Sequence, residues 1–163
     1  MFKKFSFWIW GTIVAQLLTA AFHSLSFFMK PEPANDTEKQ LFDLVNNYKP
    51  DAGMGFNPSF ASLFTGLSLC FTLICLFGAV LNWYLNKKNI TADLWKGVLM
   101  IQIIIFGAVF AAMLAFTFAP PIICTFLIFI FICGSYLSLK IRLAVFYIRN
   151  ICFTLDFRKF IST

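Results

Sequence analysis

Four stretches of the chain stay apolar for longer than a soluble helix requires: residues 7–29, 59–85, 94–118 and 121–139. At 1.5 Å per residue, about 20 residues cross a hydrocarbon layer roughly 30 Å thick. Apart from Lys96, which can snorkel from the edge of the third run, none holds a charged side chain. Polar residues inside the first two runs are not scattered. In the first they fall at steps of three and four: Thr12, Gln16, Thr19, His23, Ser26. The second repeats the spacing with Thr65, Ser68, Thr72, then Cys75, Ala79 and Asn82. Such steps keep residues on one helix face, and in lipid a polar face turns inward to find partners. The pattern predicts an all-α, four-transmembrane-helix bundle in which helices one and two meet along a polar seam. Gln102, Thr117 and Thr125 are candidates to complete it.

The connections are read from their breakers. Phe118-Ala119-Pro120-Pro121 separates runs three and four. Proline cannot continue a helical ladder, so the chain turns, Pro121 opens the next helix and the two runs form an antiparallel hairpin. The loop 30–58 contains NDTEKQLFDLVNNYK, whose Leu41, Leu44, Val45 and Tyr48 make one apolar stripe. This is a short amphipathic helix, capped by Asp36 or by Thr37 with Gln40, expected over the outer mouth of the bundle. The tail 140–163 mixes Phe, Ile and Leu with spaced Arg and Lys and reads as an interfacial helix. A fifth crossing would put Arg142 and Arg149 at depth. All of this forms a single membrane domain, 1–163.

Composition and charge sharpen the picture. Sixty per cent of residues are hydrophobic, 12% are charged, and 23 are Phe. Soluble domains carry about 25% charged residues, so the solvent for most of this surface is lipid. The net charge of +6 gives no reason to expect nucleic acid, because the basic residues flank apolar runs. Ten of the thirteen (Lys3, Lys4, Lys87, Lys88, Lys96, Lys140, Arg142, Arg149, Arg158, Lys159) fall on one side, which the positive-inside bias makes cytoplasmic. Both termini are then inside, in the cytoplasmic (inner) membrane. Lys3 and Lys4 before an apolar stretch ending Thr19-Ala20-Ala21 also fit a signal peptide. The apolar run continues to Met29, which favours a span. The five cysteines lack clustered spacing and read as small residues at helix contacts.

His23 is the one histidine. Ionisable groups inside a span are functional candidates, and imidazole exchanges protons near neutral pH. Its structural reading is a neutral ring bonded to a carbonyl or to Thr65. Glu32, Asp36, Glu38, Asp43 and Asp51 in the loop above could supply a partner carboxylate, or simply wet the loop. Thr12, Gln16, Thr19, His23, Ser26, Thr65, Ser68 and Thr72 form the candidate ligand-binding set. As glue, the same residues would hold helices together. There is no GxGxxG, P-loop, HExxH or GxSxG, and nothing points to a metal or names a cofactor.

The pair His23-Ser24 is followed by a Pro-x-Pro loop, by Gly55-Phe56 and Ser59-Phe60 at the entry to helix two, by Gly66, Ser68 and Leu69, and by a corner with Phe116 or Phe118 ahead of Pro120-Pro121. This arrangement resembles a family of small four-helix bacterial membrane proteins without assigned activity, over roughly residues 8 to 139. The resemblance implies the same topology and points at His23; it implies no reaction. Two functional expectations follow. One is a non-enzymatic binder of lipid or a small ligand, or a subunit of a homo-oligomer or of a partner membrane protein. The other is a lipid- or quinone-modifying enzyme with His23 as proton carrier. A channel or transporter ranks third, since the runs hold no charge pathway.

The orientation can be checked with single cysteines at positions 43 and 89. An impermeant thiol reagent applied outside should label Asp43→Cys and spare Asn89→Cys; external labelling of Asn89→Cys contradicts the topology.

Overall fold

The computed structural model describes the backbone of residues 2–25, 27–28, 32–51, 53, 55–88 and 90–161, with side chains between Lys4 and Ile141. Among these residues the chain is all-helical: α1 (Phe2–Leu25), α2 (Asp36–Asn47), α3 (Phe60–Lys87), α4 (Ala92–Phe116) and α5 (Ala119–Ile161). Four segments are long and apolar enough to cross a membrane: Lys4–Leu25, Phe60–Lys87, Ala92–Phe116 and Ala119–Ile141. Their outward faces confirm the solvent. Phe77, in the middle of α3, is 69% exposed, and Leu67, Ile104 and Phe22 are similarly bare. In water this would be an aggregation surface; in hydrocarbon it costs nothing. The chain is a multi-pass membrane protein.

Local chemistry sets the ends. α1 stops at Leu25, four residues before the expected Met29, and tightens into i→i+3 turns. Phe27 N–H donates to the Ser24 carbonyl at 3.1 Å and Phe28 N–H to Leu25 at 3.0 Å. Ser59 precedes α3, its hydroxyl accepting from Ser62 N–H at 3.3 Å. Thr91 caps α4, accepting from Leu94 N–H at 3.4 Å. At the far end of α4, the Thr117 backbone N–H and hydroxyl both donate to the Met113 carbonyl, at 3.0 and 2.7 Å. α5 begins at Ala119, two residues earlier than expected, so Pro120 and Pro121 both sit in the first turn, where no helical N–H is needed. Lys87 lies over the Trp83 ring at 4.5 Å, an interfacial pairing at the end of α3.

Two expectations change. The cap of α2 is Asn35, not Asp36 or Thr37. Its side chain accepts from Glu38 N–H at 2.9 Å, and Glu38 Oε2 accepts from Ala34 N–H at 2.7 Å. That reciprocal pair takes the place of the Thr37–Gln40 box. No residue of α2 is fully buried: of its apolar stripe, Val45 is half-buried and Leu41, Leu44 and Tyr48 are exposed. And the tail is helical without being a separate element. α5 runs 43 residues, about 65 Å at 1.5 Å per residue. No Gly or Pro follows Gly134, so nothing interrupts the backbone where the basic residues begin.

The chain divides into two compact units, Met1–Gln16 with Ala79–Thr163, and Leu17–Gly78. The division falls inside α1 and inside α3, where no linker composition marks it.

Within the first unit each helix buries a stripe at steps of three and four. α1 contributes Phe5, Ile9, Thr12 and Gln16, and α3 contributes Ala79 and Asn82. On α4 the stripe is Trp95, Leu99, Gln102 and Phe106; on α5 it is Thr125, Ile128, Ile132, Ser135 and Leu139. This spacing belongs to left-handed, coiled-coil-like packing. Aromatic rings lock the contacts. Phe5 meets Trp95 edge-on with centroids 5.4 Å apart, and Phe110 lies 5.4 Å from Phe126 and 6.0 Å from Phe129 across the α4–α5 hairpin. Two glycines make room for rings: a Cβ on Gly134 would run into the Trp8 indole, and one on Gly11 into Phe131. The second unit buries Thr19, Ala20, Thr72 and Cys75.

Close approach at Gly134 can be told from helix propensity. Gly134→Ala should lower stability in detergent by about 1–3 kcal/mol through overpacking. Gly66→Ala, where a Cβ meets open space, should be neutral or stabilising by up to about 1 kcal/mol. Thermal unfolding that shows the same loss at both positions contradicts the packing.

Candidate functional site

Three carboxamides meet inside the first unit. Asn82, on the α3 stripe, donates from Nδ2 to Gln102 Oε1 at 2.9 Å and to Gln16 Oε1 at 3.2 Å. Gln102 Nε2 donates back to Asn82 Oδ1 at 2.8 Å. Gln16 and Asn82 are fully buried and Gln102 nearly so. Asn82 therefore clasps α1 and α4 at once, through a reciprocal pair with one and a single bond with the other. Gln16 Nε2 finds no acceptor among the described residues. Turning that amide over would set its NH₂ against the Asn82 donor, so the orientation follows from the network.

A second polar contact lies in the same unit. The hydroxyls of Thr12 and Ser135 meet at 3.4 Å. Each hydroxyl has a single proton and a carbonyl acceptor on its own helix, Trp8 at 3.1 Å for Thr12 and Phe131 at 2.9 Å for Ser135, so at most one of the two donates across the contact. Amides and hydroxyls of this kind neither titrate near neutral pH nor attack without a base. Their chemistry is recognition and cohesion.

His23 belongs to the second unit. It sits in the last turn of α1, two residues from the end instead of the six expected, and is half-buried. Phe71 on α3 approaches its ring edge-on, centroids 5.1 Å apart, and Phe27 lies at 6.5 Å. Two of the loop carboxylates, Glu38 and Asp51, are engaged in local backbone geometry. Glu38 closes the α2 cap, and Asp51 Oδ1 accepts from Gly53 N–H at 2.9 Å, helping Gly53 hold φ +80. Among the described residues no three His, Cys, Asp or Glu side chains gather in a way that could hold a metal ion.

The eight candidate residues thus separate. Thr12 and Gln16 enter the buried polar core of the first unit, while Thr19 and Thr72 are buried in the second. Thr72 donates to the Ser68 carbonyl at 3.1 Å, and Ser68 itself is half-buried. Thr65 is exposed and donates to Ala61 at 2.8 Å. The expected polar stripe of α3 therefore starts at Thr72, one to two turns later than the sequence suggested. Ser26 lies outside the described residues. Gln102 and Thr125 are buried as expected, but Thr117 caps α4 at an exposed corner. Ser135 was not anticipated. Its signal is the step pattern Thr125, Ile128, Ile132, Ser135, Leu139, which is largely apolar and so does not stand out from the run.

No family model, curated protein or solved structure matches the chain. Fold and site define its class: a multi-pass helical membrane protein whose best-formed polar site is an interhelical amide clasp.

The clasp is asymmetric, and that can be measured. Asn82→Leu strands Gln16 Oε1 and both ends of Gln102, whereas Gln16→Leu strands one hydrogen of Asn82. Buried orphans cost about 1–3 kcal/mol each, with membrane values near the low end. Asn82→Leu should destabilise the protein in detergent by about 1 kcal/mol or more beyond Gln16→Leu. Equal losses would show that Asn82 is not the hub.

Proposed function

We propose that the protein is a non-enzymatic membrane component, a lipid or small-ligand binder or the subunit of a larger membrane assembly, in which the buried polar residues hold helices in register. One observation carries this reading. The buried carboxamides Asn82 and Gln102 spend their hydrogen bonds on each other and on Gln16, and of the three only Gln16 keeps an unspent group, its Nε2. A site that bound and transformed a substrate would keep polar groups directed at open space. The basic residues support placement in the inner membrane with both termini cytoplasmic.

The enzymatic alternative rests on His23, whose half-buried ring stands in the last turn of α1 beside Phe71. The substitution His23→Gln separates the two readings, because an amide keeps a donor and an acceptor but cannot exchange a proton at neutral pH. Loss of the edge-on ring contact should lower stability by no more than about 1.5 kcal/mol. The variant is expected to rescue the growth of a deletion strain as well as the wild-type gene does. A folded, membrane-inserted variant that fails to rescue would overturn the non-enzymatic reading in favour of proton transfer at His23.

A further inference from the structure

α2 has three distinct sectors. Glu38, Phe42 and Val45 form a half-buried line. Asp36, Lys39, Asp43, Asn46 and Asn47 form an exposed polar face. Leu41, Leu44 and Tyr48 dominate the sector between, and are 55, 58 and 54% exposed, with Thr37 at its N-terminal end. A helix surrounded by water on its free side has no use for a third, apolar sector. A helix lying at a membrane surface needs all three: one toward protein, one toward water, one toward lipid.

The position of the apolar sector fits. Tyr48, at its end, stacks on Phe60 with centroids 6.2 Å apart and planes at 18°. Phe60 is the first residue of a membrane span. Beyond it, the bare face of α3 (Leu63, Phe64, Leu67) is hydrocarbon-facing surface. The Leu41–Leu44–Tyr48 edge is joined to that surface through the stacked rings, at the level where a tyrosine favours the headgroup region. Phe28 and Phe56, before and after the loop helix in sequence, are exposed as well.

We propose that this edge of α2 is a lipid-binding surface, seated in the interface of the leaflet where α3 begins. The polar face carries Asp36 and Asp43 against one lysine, Lys39. Attraction to anionic headgroups therefore contributes nothing; burial of Leu41 and Leu44 supplies the binding, and a zwitterionic bilayer suffices. The inference rests on membrane insertion and is independent of whether the protein is an enzyme.

Photocrosslinking tests it on the full chain. Leu44, and separately Asp43, are replaced by p-benzoylphenylalanine, and each protein is reconstituted in phosphatidylcholine vesicles and irradiated. The Leu44 position should gain the mass of one phospholipid and the Asp43 position should not. The same variants irradiated in native membranes before purification should give no protein adduct. Leu41 serves as the second stripe position if the Leu44 variant is not helical by circular dichroism. A crosslinked dimer, an adduct to another protein, or lipid labelling that is equal or absent at both positions overturns the proposal.

Discussion

A carboxamide between apolar helices has no water to return to. Its hydrogens and oxygen must be met by another side chain or by backbone, and in a helix the backbone is already paired. Asn82 resolves this by reaching two other helices at once, through Gln16 on α1 and Gln102 on α4. Hydrophobic packing cannot do the same job in lipid, because a leucine gains little by leaving lipid for another leucine. The amides therefore set register among helices that dispersion alone would let slide.

The apolar contacts of the same unit then act as fitted surfaces around that fixed point. Gly134 and Gly11 let Trp8 and Phe131 lie close to neighbouring backbone. The stripe residues Ile9, Leu99, Ile128 and Ile132 fill the remaining space at fully or almost fully buried positions. Dispersion over such contacts is individually small and collectively large, but only when backbones approach closely. The unit at Leu17–Gly78 holds the histidine, the exposed edge of α2 and the aromatic pair Tyr48–Phe60.

Much of the fold was legible because the two periodicities involved are local. Steps of three and four placed Thr12, Gln16 and Asn82 on inward faces, polarity within the third run singled out Gln102, and hydropathy alone located four spans. The errors have local causes too. Hydropathy continues through Phe27, Phe28 and Met29, so composition could not see the turn that ends α1 at Leu25. Asn35, Asp36 and Thr37 are all good capping types, and only geometry chooses Asn35. Arg142 and Lys140 mark a boundary in the solvent, which need not be a boundary in the helix. The site was less legible than the fold. Which of 23 phenylalanines would face His23 is not encoded in spacing, and a stripe says which face turns inward without saying which residue it meets.

The claim that the Asn82 clasp organises the first unit is tested most directly by a double-mutant cycle on Asn82 and Gln102. Each is replaced by Leu singly and together, and unfolding free energies are measured in one detergent. Removing both partners of a reciprocal bond leaves fewer orphans than removing one. The double variant should therefore be less destabilised than the sum of the singles, by about 0.5–3 kcal/mol. Additive losses would mean that the two amides do not support each other, and that the helices are held by packing alone.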